Sequence, residues 1–156
     1  MSVLRSFRRL TAAAALSAAL IATPSQAGVR LELGGDWTYY YYGGTLELMI
    51  GVNGALAKHI TVGGRFGGLF AAYGTVFGNY GSIGAPIDFE LRANVGDGRV
   101  YLGGLVGPWL MFDGGFPLRF HGAFEFGLNA GSFSFGLELG YLTYSPIAGL
   151  RLSFRI

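Results

Sequence analysis

The chain has 156 residues, enough for one domain and too few for two. It has no cysteine, which excludes a disulfide framework and a thiolate metal site. Only 13% of its residues are charged, about half the share of an ordinary soluble domain, whereas 28 are glycine and 15% are aromatic. The net charge of +2 counts three arginines in an N-terminal leader; without them 8 of the 11 basic residues remain against 9 acidic ones, so the basic balance says nothing about nucleic acid.

Residues 1–27 read as a cleaved signal peptide. Arg5, Arg8 and Arg9 form a basic start, Leu10 to Ala22 is an alanine-rich apolar run, and Ser25-Gln26-Ala27 places small residues where a signal peptidase cuts. The run is shorter than the roughly 20 residues of a membrane anchor. Residues 28–156 form the mature part. No apolar run there reaches helical membrane-spanning length; apolar and polar residues alternate with period two instead, which predicts strands.

Eight such segments follow in order. The first, Val29 to Tyr41, sets Val29, Leu31, Leu33, Trp37, Tyr39 and Tyr41 against Arg30, Glu32 and Asp36. The second, Thr45 to Asn53, sets Leu46, Leu48, Ile50 and Val52 against Glu47. The third, Ile60 to Tyr73, opposes Arg65 to Ile60, Val62, Phe66 and Phe70. In the fourth, Ala85 to Val95, Ile87, Phe89, Leu91 and Val95 alternate with Asp88, Glu90, Arg92 and Asn94. The fifth spans Arg99 to Phe112, with Val100, Leu102, Val106, Leu110 and Phe112 on its apolar face. In the sixth, Leu118 to Asn129, five apolar residues alternate with Arg119, His121, Glu125 and Asn129. The seventh, Phe133 to Tyr144, opposes Glu138 to Phe133, Phe135, Leu137, Leu139 and Tyr141. The eighth, Ile147 to Ile156, alternates Leu150, Leu152, Phe154 and Ile156 with Arg151, Ser153 and Arg155.

Turn signals separate them: Gly43-Gly44, Asn53-Gly54 through His59, Gly74 to Gly84, Gly96-Asp97-Gly98, Asp113-Gly114-Gly115, Ala130-Gly131-Ser132 and Ser145-Pro146. Connections this short force antiparallel neighbours. The expectation is an all-β, eight-stranded antiparallel up-and-down transmembrane β-barrel, closed by Val29–Trp37 against Leu150–Ile156.

The charges decide which face points inward. Every charged residue assigned to a strand lies opposite the apolar face. Eight strands enclose a space only wide enough for side chains, too narrow for eight apolar faces, so those faces point outward. An apolar exterior needs lipid, and a closed barrel satisfies its backbone polar groups within hydrocarbon. Trp37, Tyr39, Tyr41 and Tyr141 suit an aromatic girdle near one end, and Phe133 and Phe154 near the other.

Alternation, leader and strand count together resemble the small outer-membrane barrels of the OmpA and OmpX type, over residues 28–156; the likeness is architectural rather than a motif match. It implies a Gram-negative outer-membrane location, lipid as surroundings, the barrel assembly machinery as partner during insertion, and an extracellular Gly74–Gly84 connection. Such barrels commonly end on an aromatic residue; Leu152-Ser153-Phe154-Arg155-Ile156 keeps the alternation but ends on isoleucine. Lipid A deacylases on this architecture use a His with a Ser two positions on, whereas the run here is His121-Gly122-Ala123, without the nucleophile. Palmitoyl transfer needs an apolar interior, and this one reads as charged.

Seven basic residues (Arg30, Arg65, Arg92, Arg99, Arg119, Arg151, Arg155) face seven acidic ones (Glu32, Asp36, Glu47, Asp88, Glu90, Glu125, Glu138) across the expected lumen. Glu32, Arg65, Glu90, Arg92, Glu125, Glu138 and Arg151 are the expected mid-barrel ion-pair network, with His121 beside Glu125. Gly63, Gly67, Gly103, Gly107, Gly136 and Gly140 leave room for the arginines. Reflection through Asp97 sets Pro86 beside Pro108, where the ladder weakens, either as a lateral opening or because both strands are leaving the membrane. His59 has no metal partners in the pattern, and no cofactor, metal or catalytic site is expected. The functional expectation is a non-enzymatic, porin-like barrel with a plugged lumen and a structural or surface-interaction role. The alternatives are a narrow channel or lateral-path transporter, then a lipid-modifying enzyme.

Overall fold

The computed structural model describes residues 28–39, 43–75, 78–112 and 117–156. The leader, Tyr41 and the Asp113-Gly114-Gly115 turn lie outside the described residues. Eight strands follow: β1 Gly28–Thr38, β2 Gly43–Ala57, β3 Ile60–Thr75, β4 Gly78–Val95, β5 Val100–Met111, β6 Leu118–Ala130, β7 Phe133–Leu142 and β8 Ser145–Arg155. Each pairs antiparallel with the next, and β1 pairs with β8, giving a closed barrel in sequence order. The closing seam runs from Arg30↔Arg155 to Thr38↔Ile147, and the Ile156 N–H donates to the Val29 carbonyl at 3.0 Å. Closure leaves no unpaired edge strand.

The period-two pattern translates directly into facing. Leu31, Leu33, Phe66, Phe89, Phe126 and Leu152 stand outward and exposed, and Phe124 reaches 81% exposure. Their neighbours Glu32, Arg65, Glu90, Glu125 and Arg151 are buried inward. Such an arrangement inverts an ordinary globular protein, in which apolar groups fill the interior.

Several boundaries differ from the sequence reading. No long connection occupies Gly74–Gly84: β3 and β4 pair through Tyr73↔Tyr80 and Thr75↔Gly78, leaving only residues 76–77 between them. The glycines there resemble a turn, but the alternation holds from Gly81 onward, with Ser82 and Gly84 buried and Gly81 and Ile83 exposed. The last hairpin turns at Thr143-Tyr144, not Ser145-Pro146. Thr143 adopts a positive φ of 54°, uncommon for a branched residue, and is anchored to β6. Its N–H donates to the Phe120 carbonyl at 2.6 Å and its Oγ1 accepts from the Phe120 N–H at 3.1 Å.

Pro86 is opposite Trp109, one position away from the register that a turn centred on Asp97 gives. It stands mid-way along β4, so that strand does not end there. The β4–β5 ladder is interrupted between Pro86↔Trp109 and Phe89↔Val106, and the β3–β4 ladder between Phe66↔Ile87 and Leu69↔Gly84. Pro86 has no N–H to donate, which removes one bond from one of these two ladders.

One end of the interior is apolar, which the alternation did not reveal. Leu69, Ala71, Tyr73, Trp109, Met111, Leu142 and Ile147 form a buried cluster at the end carrying the β1–β2, β3–β4, β5–β6 and β7–β8 connections, here called the far end. At the near end the Lys58-His59, Gly96–Arg99 and Gly131-Ser132 turns surround a polar cavity of about 650 Å³. The charged lumen lies between them.

Candidate functional site

Four arginines from four strands organise the lumen, each held by at least two carboxylates. Arg30 on β1 pairs with Glu32 at 2.8 Å and with Glu90. Arg92 on β4 pairs with Glu90 at 2.7 Å and Glu125 at 3.2 Å, and lies 3.9 Å over the Tyr101 ring. Arg65 on β3 reaches Asp88 at 3.0 Å, Glu138 at 3.1 Å and Glu32 at 3.7 Å. Arg151 on β8 reaches Asp36 and Glu47 at 2.9 Å and Glu138 at 3.0 Å. Shared carboxylates join these clusters into one continuous network. Glu138 links Arg151 to Arg65, Glu32 links Arg65 to Arg30, and Glu90 links Arg30 to Arg92.

His121 braces the middle of this chain. Its Nδ1 is 2.9 Å from Asp88 and its Nε2 is 2.9 Å from Glu138, not beside Glu125 as the spacing suggested. The indole of Trp109 lies against the imidazole, with ring centroids 4.7 Å apart, and donates to Asp88 at 3.2 Å. At the other end of the network Tyr101 donates its hydroxyl to Glu125. Such hydrogen bonds matter because a desolvated charge is tolerated only when its lone pairs and protons are occupied.

Glu32, Arg65, Glu90, Arg92, Glu125, Glu138 and Arg151 therefore meet inside the barrel. Arg30, Asp36, Glu47, Asp88 and His121 belong to the same network, although the sequence reading placed them on the inward face without including them in the paired seven. Their inward parity was the available signal. The even balance of seven against seven does not survive. Arg99 is in the Gly96–Arg99 turn, 83% exposed, paired with Asp97 at 2.9 Å. Arg155 is exposed, and Arg119 is half-buried, donating to the Tyr73 hydroxyl at 2.9 Å.

Glycines shape the space, though mostly not those expected. A methyl group on Gly34 would strike the Arg151 side chain, and one on Gly51 would lie 2.9 Å from Arg30 and Glu32. Gly136 makes way for Tyr101 and Glu125, and Gly103 faces Glu125. At Gly63, Gly67, Gly107 and Gly140 the added carbon would instead meet the backbone of the adjoining strand. Those four permit close backbone approach rather than room for arginine.

The chain matches no family model and no curated protein. Its chemistry must be read from these side chains alone. Among the described residues no group of three or more His, Cys, Asp or Glu has a geometry suited to a metal ion. The partners of His121 are carboxylates and an indole, so this imidazole is committed to the network. What the arrangement can do is hold the eight strands together electrostatically and fill the passage between them.

Proposed function

We propose that this chain is an outer-membrane β-barrel of a Gram-negative bacterium, with its lumen plugged by the ion-pair network and the apolar cluster, serving a structural or surface-interaction role. The observation that carries the reading is the inside-out distribution: large apolar side chains exposed on every strand, with Arg65, Asp88, Glu138 and Arg151 at 1% exposure or less. Water is a poor solvent for that exterior and lipid a good one. The strands, of 10 to 18 residues, reach or exceed the ~9–11 that cross a bilayer at a tilt. Trp37, Tyr39 and Tyr141 stand exposed toward the far end, and Phe133 and Phe154 pair at the near end with centroids 4.9 Å apart, as interfacial girdles require. The reading is non-enzymatic, implies no cofactor, and includes the small outer-membrane barrels as the class it belongs with.

Export then proceeds through the leader, with cleavage after Ala27 and Gly28 as the first mature residue. Mass spectrometry of the protein from an outer-membrane fraction checks this; an intact leader, or recovery from the soluble periplasm, refutes it.

A second reading, lateral passage of hydrophobic solutes, rests on the ladders interrupted on both sides of β4 near Pro86. The outer wall also carries an apolar groove of about 750 Å³, floored by Gly104 and Gly122 and walled by Leu91, Phe124 and Tyr141. Uptake of an apolar fluorophore into vesicles that depends on the protein would favour it over the plug.

A further inference from the structure

Buried charge in the lumen does not balance. Seven carboxylates (Glu32, Asp36, Glu47, Asp88, Glu90, Glu125, Glu138) are buried with four guanidiniums (Arg30, Arg65, Arg92, Arg151) and one imidazole, His121. Even with His121 charged, two negative charges have no counter-charge, and isolated buried carboxylates are costly enough that such groups take up a proton instead. The question is where the surplus sits.

The ion pairs locate one of these two charges beside Arg151. Among the described residues Asp36 and Glu47 pair with no other arginine, and Arg151 must also serve Glu138. The Nη2 of Arg151 carries two hydrogens but faces three carboxylate oxygens: Asp36 Oδ2 and Glu47 Oε2 at 2.9 Å, and Glu138 Oε1 at 3.3 Å. Its Nη1 crowds Gly34 and makes no hydrogen bond. Glu47 Oε2, buried and directed at this cluster, accepts no hydrogen bond, and neither does Asp36 Oδ1. Thr45 lies between the two acids, its Oγ1 2.6 Å from Glu47 Oε1 and 3.4 Å from Asp36 Oδ2. That hydroxyl already accepts from the Asp36 N–H at 3.2 Å and has one hydrogen to give. Acceptors therefore outnumber hydrogens around this pair, and one proton supplies the missing hydrogen and removes one of the two surplus negative charges.

We propose that Asp36 and Glu47 form a proton-binding site, sharing one exchangeable proton in the folded barrel at neutral pH. The groups facing it are Asp36 from β1, Thr45 and Glu47 from β2, Arg65 from β3, Glu138 from β7 and Arg151 from β8. Asp88 from β4 and His121 from β6 come next along the network, and β5 contributes the neutral Trp109. With the proton bound, Arg151 neutralises one carboxylate of the pair while still holding Glu138, so β1, β2, β7 and β8 stay clamped. Without it, two adjacent carboxylates repel each other across the β1–β2 pair. The site depends on the lumen geometry and not on where the barrel resides.

Infrared spectroscopy of the folded protein at neutral pH tests this through the carbonyl stretch of a protonated carboxyl group, which an ionised carboxylate lacks. Wild type should show the band and Glu47→Gln should lose it, while Glu90→Gln, altered at a carboxylate shared by two arginines, should keep it. Refolding in weak buffer at neutral pH should take up one more proton per wild-type chain than per Glu47→Gln chain, since an unfolded glutamate is ionised above about pH 4.3. If Glu47→Gln does not fold, the wild-type spectrum still decides. A folded wild type with no such band and no proton uptake overturns the proposal. So does stabilisation by sodium or magnesium ions in wild type but not in Asp36→Asn, which would make the site a metal site.

Discussion

Arg65, like Arg151, touches three carboxylates, in its case Asp88, Glu138 and Glu32, and is 1% exposed. Arg65→Ala leaves three carboxylates short of their partner in a dry space, and the expected loss of stability is ~3–5 kcal/mol. Arg99→Ala removes a pair that is open to solvent, so its effect is expected within about 0.5 kcal/mol. Urea titration of both variants in the same micelles measures the contrast; equal losses would mean that burial does not set the worth of these charges. The two arginines also mark what parity can and cannot reveal. Period two correctly turned Arg65 inward, because the strand continues well past it on both sides. It failed for Arg99, one residue outside β5, where the Arg99 N–H donates to Asp97 Oδ1 at 3.1 Å and Gly96 and Gly98 take positive φ. Beyond the last ladder pair a side chain has no obligation to either face. Partner choice was equally hidden: His121 meets Asp88 and Glu138 through strand stagger around a closed circumference, which one-dimensional spacing does not encode.

At the level of strands, packing inside the barrel is a fit between long side chains and glycines on neighbouring strands. Gly34 on β1 is opposite Arg151 on β8, and an added carbon there would lie 2.7 Å from the arginine Cδ. Gly34→Val is therefore expected to cost about 1–3 kcal/mol through overpacking. Gly68 on β3 faces outward with nothing within 4 Å of an added carbon, so Gly68→Val should be neutral or mildly stabilising through β-propensity. Retention of the folded, fast-migrating form on unheated gels at increasing urea compares them; a Gly34→Val barrel as resistant as Gly68→Val would remove the packing argument. Strand number, antiparallel order and closure were all legible, because each follows from alternation and short connections. Strand ends were not. In β3 and β4 the small residues Gly74, Gly78, Gly81 and Gly84 look like a loop by composition, yet continuous pairing with the neighbouring strand keeps them in the sheet. Inward apolar residues were hidden for a similar reason: Leu69 and Trp109 adjoin outward Phe70 and Leu110, so apolar runs blur the alternation at the far end.

Across the whole barrel, two barriers stand in series along the axis. The ion-pair network fills the middle, and the cluster of Leu69, Tyr73, Trp109, Met111, Leu142 and Ile147 closes the far end. An ion entering through the polar near-end cavity meets first a lumen whose donors and acceptors are largely engaged with one another, then a dry apolar layer in which a bare charge is strongly disfavoured. Wild-type protein in planar bilayers is therefore expected to be electrically silent. Arg65→Ala loosens the first barrier and leaves the second, so it should be less stable and still nearly silent. Trp109→Ala opens the apolar layer and also deprives Asp88 of its indole donor, yet the arginines remain in the passage. Only Arg65→Ala combined with Trp109→Ala removes material from both layers, and that variant should conduct where each single variant does not. Steady, ion-selective current through the wild type would instead favour a working channel, and full conduction by Arg65→Ala alone would show that the apolar cluster is no barrier.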